Sequence, residues 1–152
     1  MEEAIRRQMM EYNRLFKEED GLYREASRRL DLPETELWIL YLLRLEGPCT
    51  QRELRERMVQ ARQSVNTALK AMERKGVITM APAEGDRRSR TICLTERGEA
   101  LAAEAADPIL AAEAAAMAAL TAQERETLLR LWAKYVAELA KGLGSGKGGA
   151  QA

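Results

Sequence analysis

Residues 50–98 pass through five short segments, and their order restricts the fold more than any other feature of the chain. A polar helix start, Thr50-Gln51-Arg52-Glu53-Leu54, precedes a longer helix-forming run, Gln63-Ser64-Val65-Asn66-Thr67-Ala68-Leu69-Lys70-Ala71-Met72-Glu73-Arg74-Lys75-Gly76. An apolar strand follows (Val77-Ile78-Thr79-Met80), then a charged loop, Glu84-Gly85-Asp86-Arg87-Arg88-Ser89-Arg90, then a second strand, Thr91-Ile92-Cys93-Leu94. Thr50 and Glu53 stand at capping-box spacing, the hydroxyl accepting from the amide three residues on and the carboxylate reaching back. In the longer helix Val65, Leu69 and Met72 share one face, while Gln63, Ser64, Asn66, Thr67, Lys70 and Arg74 fill the remaining arc. Ala61, at the start of that helix, is a poor cap, and Gln60 a weak substitute.

Helix, helix, strand, basic hairpin, strand is the order of a winged helix-turn-helix, which offers one helix and one loop to duplex DNA. Short polar side chains early in a helix suit a major groove. Asn and Gln pair bidentately with adenine, Ser and Thr serve bases or phosphates, and Lys reaches guanine or phosphate. The wet face of an ordinary packing helix has the same composition. The three arginines of the hairpin favour DNA, because packing requires no such cluster. Arg62, at the entrance to the helix, reads equally as a phosphate contact or a solvated charge.

Charge is informative only in its distribution. The chain has 24 basic and 24 acidic residues, a balance that does not by itself favour nucleic acid. Between Arg52 and Arg90, however, ten basic residues face five acids, a local surplus of +5 that leaves −5 elsewhere.

Helices dominate the remainder. Ile5, Met9, Tyr12 and Phe16 make an apolar stripe within residues 3–30, with Gly21 as a weak point or bend. Residues Glu34–Glu46 are apolar nearly all round, the mark of a buried helix, and Gly47-Pro48 ends them. Thr95 opens a helix that should break near Pro108. The alanine-rich stretch Ala111–Ala119 is helical and slim, and Thr121 and Glu124 repeat the capping-box spacing. The last helix carries Leu128, Leu131, Trp132, Tyr135, Val136 and Leu139. This stripe is expected to pack with the N-terminal one across a two-fold axis, an intrachain core being the alternative. The glycine-rich tail, 142–152, is expected to be disordered.

Several classes are disfavoured. A chain of 152 residues amounts to one domain. No run approaches about 18 apolar residues, so no membrane span is expected. Met1–Arg7 lacks the basic-then-apolar plan of a signal peptide, and two cysteines make no disulfide framework. The default compartment is the cytoplasm. There is no histidine, which argues against a transition metal. Without glycine-rich phosphate loops or paired carboxylates either, an enzyme is not expected, and neither is a cofactor.

Residues 32–98 resemble the MarR family of bacterial transcriptional regulators. The likeness is carried by Cys49-Thr50-Gln51-Arg52-Glu53-Leu54, by Gln63 to Lys70, by Glu73-Arg74-Lys75-Gly76-Val77-Ile78, by Asp86-Arg87-Arg88-Ser89-Arg90 and by Leu94-Thr95-Glu96-Arg97-Gly98. It extends loosely to both ends. The implied fold is mainly α with a small β wing: a winged helix-turn-helix (32–98) between N- and C-terminal dimerisation helices (1–31 and 99–141), one unit over 1–141.

The resemblance implies a homodimer on a pseudo-palindromic double-stranded operator, with Gln63, Ser64, Asn66, Thr67 and Lys70 facing bases and phosphates. Arg88 matches the wing arginine of the flanking minor groove, where narrow A·T tracts deepen the negative potential. Asp86 matches the acid that steadies the wing, while Arg87 and Arg90 are phosphate contacts or solvated charges. Many members are repressors released by a small aromatic or lipophilic effector in a cleft, for which Tyr12, Phe16, Tyr23, Trp38 and Tyr41 are the candidate lining. As core residues these aromatics would need no ligand. The family's peroxide sensors use a first-helix cysteine, and none lies there. Two alternatives remain: a winged helix for protein contacts only, and a thiol switch in which Cys49 and Cys93 meet across paired strands, the plainer view being two small hydrophobes.

Overall fold

The computed structural model describes residues 2–83 and 86–144, with backbone alone for Ala83 and for residues 86–89. The elements in order are α1 (Glu3–Arg29), α2 (Glu34–Glu46), β1 (Cys49–Thr50), α3 (Gln51–Arg57), α4 (Arg62–Arg74), β2 (Ile78–Ala83), β3 (Asp86–Leu94), α5 (Glu96–Ala105), α6 (Asp107–Ala118) and α7 (Ala122–Gly142). The fold is mainly helical with a small β wing, as the segment order implies. It divides into two compact units, Met1–Ala111 and Ala112–Ala152.

In the first unit α2 is the central rod. Leu37, Ile39, Leu40 and Leu43 are all buried and share about half of the helix circumference, while Trp38, Tyr41 and Leu42 are half-buried and Leu45 is exposed, so α2 is not enclosed all round. Its neighbours include α4, α5 and β3. Leu54, Val65, Leu69, Met72, Ile78 and Ile92 complete a continuous core, each fully enclosed, and each such side chain contributes about 1.5–3 kcal/mol. Gly47, at φ +82° and ψ −169°, takes an extended positive-φ conformation open essentially to glycine alone and closes α2, its amide donating to the Leu43 carbonyl at 3.0 Å. Gly21 does not interrupt α1, which runs unbroken from Glu3 to Arg29. Ion pairs such as Arg14 with Glu11 and Glu18, each at 2.8 Å, brace its exposed face.

Three strands make the sheet in the order β1-β3-β2, antiparallel throughout. Cys49 pairs with Ile92 and Thr50 with Thr91, while Ile78 pairs with Leu94 and Met80 with Ile92. The strands outrun the sequence expectation. β2 continues to Ala83 and β3 begins at Asp86, so the stretch expected as a loop over residues 84–90 is strand from Asp86 onward. Backbone pairing in an antiparallel ribbon needs no apolar side chains, so a polar strand gives no alternation to read. The register shifts between Pro82, opposite Arg90, and Ala83, opposite Asp86.

A threonine and a glycine lock α5 to the sheet. The Thr95 hydroxyl donates to the Gly76 carbonyl at 2.6 Å and accepts from the Gly98 amide at 3.0 Å. A Cβ on Gly98 would lie 2.0 Å from the Val77 carbonyl oxygen, so only glycine permits this approach. The break near Pro108 falls at Ala106, placing the proline second in α6, where no intrahelical amide bond is forfeited. Arg44 on α2 clasps the junction. Its guanidinium donates to both Asp107 carboxylate oxygens (2.7 and 2.9 Å) and to Glu99 (2.7 Å). That fork holds the Asp107 carboxyl below its ordinary range.

In the second unit, Thr121 caps α7 in a complete capping box with Glu124, and Arg125 donates to the Met117 and Leu120 carbonyls. No residue of α7 is buried. Among the described residues no helix is long and apolar enough to cross a membrane.

Candidate nucleic-acid interface

The helix-turn-helix is built from α3, a four-residue turn and α4. Thr50 begins α3 with the expected capping box: its hydroxyl accepts the Glu53 amide at 3.2 Å, and Glu53 accepts the Thr50 amide at 2.7 Å. Hydrogen bonds from Thr50, led by that of the backbone amide, hold the Glu53 carboxyl below its ordinary range. Leu54 and Met58 then anchor α3 in the core.

α4 is divided lengthwise. Val65, Ala68, Leu69 and Met72 are buried, whereas Arg62, Gln63, Ser64, Thr67, Lys70 and Arg74 are exposed. The polar arc expected to face outward does so. Ala61 is the N-cap and supplies no side-chain bond, and no acid lies in the first turn. The leading amides of α4 are left for an outside acceptor, and the positive end of the helix dipole favours an anion there. Thr67 is already committed in part, its hydroxyl donating to the Gln63 carbonyl at 2.9 Å.

Asn66 differs from its neighbours. It is half-buried, and its Oδ1 accepts from Gln51 Nε2 at 3.0 Å, tying α4 to the first turn of α3. The same oxygen keeps a second lone pair and the amide nitrogen its protons, so this bond orients Asn66 on α4. Gln51 escapes a sequence reading because its partner lies 15 residues away.

The basic surplus also sorts itself. Arg52 pairs with Glu56 at 3.0 Å, Arg57 with Glu46 at 2.9 Å, and Lys75 with the buried Glu36 at 2.9 Å. Lys75 and Glu36 thereby join the end of α4 to the start of α2, a use invisible to a charge count. Arg62, Lys70, Arg74 and Arg90 are exposed and make no ion pair among the described residues. The side chains of Asp86, Arg87 and Arg88 lie outside the described residues; their backbone belongs to β3.

The five candidate pocket aromatics separate into two groups. Tyr23, Trp38 and Tyr41 form a chain of tilted rings, with centroids 5.1 and 5.3 Å apart, and Tyr12 stacks with Phe16 at 6.4 Å. Phe16, Trp38 and Tyr41 meet at a groove of about 410 Å³ that also touches Met58, Val59 and Gln60 of the α3–α4 turn. Tyr12 and Tyr23 do not line it.

Residues 30–89 match the sequence model of the MarR family. Over those residues the winged helix is similar to the MarR family. An HTH-type transcriptional regulator of Bacillus cereus is 31% identical over 87 residues, 57% of each chain. The chain thus spans little more than half the length of the curated relatives it matches. Among solved structures, a MarR family regulator from Neisseria meningitidis superposes with a TM-score of 0.76 at 23% identity, covering 92% of this chain and 99% of that one. The regulator BldR from Sulfolobus solfataricus gives 0.64 at 22%, covering 91% and 99%. Wild-type MarR from E. coli in its apo form gives 0.58 at 22%, covering 82% and 92%.

The MarR fold also decides the fate of the two cysteines. β1 does pair with β3, but Cys49 stands opposite Ile92, not Cys93. Successive strand residues point to opposite faces, so Cys49 joins Ile92 in the core while Cys93 turns to the other side. Both thiols are free, and burial pushes that of Cys49 up. A Cys49–Cys93 bridge is therefore excluded in this register, and the thiol-switch alternative loses its geometry.

Proposed function

We propose that the chain is a homodimeric, sequence-specific DNA-binding transcriptional regulator, a repressor released by a small lipophilic or aromatic effector. The carrying observation is the division of α4, whose apolar edge is sealed in the core while Gln63, Ser64, Thr67 and Lys70 stand in solvent. A helix anchored in this way offers its polar arc preorganised to base edges, so little is spent on ordering it. The MarR-family match of residues 30–89 and the regulator names of the similar proteins support the same reading. Arg62 and the open amides of α4 suit phosphates; Gln63, Ser64, Asn66, Thr67 and Lys70 suit bases and phosphates; Arg88 suits the flanking minor groove, with Arg87 and Arg90 on the backbone and Asp86 steadying the wing. A cytoplasmic location goes with that role.

Dimerisation is supported by the apolar surface left uncovered. Ile5, Met9 and Phe16 on α1, and Leu128, Leu131, Trp132, Tyr135, Val136 and Leu139 on α7, are each more than 40% exposed, an apolar display that monomers rarely maintain. Two recognition helices related by a two-fold axis would meet half-sites about one helical turn apart (~34 Å), hence an imperfect palindrome.

Selection of bound duplexes from a random pool, followed by salt titration, tests the reading. Affinity should fall by roughly 0.9 decade per decade of salt for each phosphate neutralised. Arg88→Ala should weaken all sequences alike, while Gln63→Ala should relax preference by about 1–3 kcal/mol at the base it pairs with. A pool yielding no retained duplex, or variants that bind like the parent, would refute it. A stable monomer by light scattering at micromolar concentration would remove the dimer.

A further inference from the structure

The groove beside the α3–α4 turn has a chemistry more selective than its apolar character alone. α1 contributes Phe16 and Asp20, α2 contributes Glu34, Trp38 and Tyr41, and the turn contributes Met58–Gln60. Two apolar side chains there stay uncovered within the single chain: Val59 is 99% exposed, and Phe16, which also ends the α1 stripe proposed above to meet a second copy, is 53% exposed. The charges around them do not cancel. Asp20 is paired with Arg24 at 2.9 Å, and Arg57, the cation on the lining, is held by Glu46 at 2.9 Å. Glu34 makes no ion pair among the described residues and lies on the same wall as Trp38 and Tyr41.

We propose that this groove binds a lipophilic cation, an aromatic or alkylated onium ion, in preference to an anion or a neutral compound of the same shape. Ring faces carry negative quadrupole density and attract a cation, more strongly as it is desolvated. The Glu34 carboxylate adds the one uncompensated charge among the described side chains of the lining. An anion meets both features with the wrong sign, since Arg57 is already committed. A neutral lipophile gains from Phe16 and Val59 but nothing from Glu34. The consequence rests on the regulatory reading above: an occupant wedged against Met58–Gln60 bears on Ala61 and so on the start of α4, shifting the helix that faces DNA.

Tetraphenylphosphonium and tetraphenylborate, matched in shape and opposite in charge, test this by calorimetric titration of the full chain. The phosphonium should bind about tenfold or more tighter than the borate. Glu34→Gln should weaken the phosphonium several-fold and leave the borate unchanged or tighter, and Phe16→Ala should weaken both. Circular dichroism verifies that each variant is folded. Equal affinities, a preference for borate, no binding of either ion, or a Glu34→Gln variant indistinguishable from the parent would each overturn the assignment. Retention of selected duplex is measured on the same sample. A protein that holds its operator but ignores the cation defeats the cation site alone; one that binds the cation but holds no duplex defeats the regulatory reading alone.

Discussion

The core around α2 and the helix α7 carry comparable apolar stripes and meet opposite fates. Leu37, Ile39, Leu40 and Leu43 are enclosed by α4, α5 and the sheet, whereas α7 buries nothing although it holds Leu128, Leu131, Trp132, Tyr135, Val136 and Leu139. One region is complete within the chain; the other has a well-capped helix and an apolar face left open. Local signals build a helix equally well in both cases, so capping and periodicity say nothing about what will cover it. Only the supply of neighbouring elements separates a finished core from an apolar face left uncovered.

The sharpest way to break this comparison is Gly98→Ala. With the Val77 carbonyl 2.0 Å from the new Cβ, the first unit should lose about 3 kcal/mol or more, read as a large fall in Tm. Unchanged melting would mean that the packing of α5 on the sheet is slack. Trp132→Glu probes the other side. It should cost association about 2–4 kcal/mol and halve the mass seen by light scattering, while the winged helix still melts cooperatively. If mass and operator affinity both stayed as they were, the α7 stripe would have no role between copies.

Smaller effects sharpen the contrast. Thr50→Ala and Thr121→Ala each remove a capping box worth about 1 kcal/mol; the first should lower the melting of the winged helix, the second that of α7. Gln51→Ala should weaken operator binding by about 1 kcal/mol through Asn66, and a double-mutant cycle with Asn66→Ala should be non-additive. Acid acts in one direction. The Asp107, Glu53 and Glu124 carboxyls are all held below their ordinary range by hydrogen bonds. Their contributions are therefore present above the unfolded-state pKa of about 4 and fade as pH falls through the lower folded values. Melting curves across that window should show stability falling on acidification, less so in Asp107→Asn.

The boundaries of α2, both capping boxes and the break before Pro108 are legible in the sequence, because each depends on residues a few positions apart. The wing reads too short there because Arg87, Arg88 and Arg90 show no apolar alternation, yet β3 starts at Asp86, with backbone pairing at Asp86 and again from Arg90 onward. Composition alone makes Asn66 a base contact. Its bond to Gln51 depends on how two helices cross, which no spacing rule encodes.

By itself, then, the sequence determined where helices start and stop and which edge of α4 is apolar, since these follow from backbone geometry and nearest-neighbour chemistry. The tertiary structure alone decided that Lys75 serves Glu36, that Cys49 and Cys93 face opposite ways, and that Phe16 and Glu34 share a groove with the turn before α4. Those outcomes depend on strand register and helix crossing, which are set by the packing of the whole core and by no local stretch of chain.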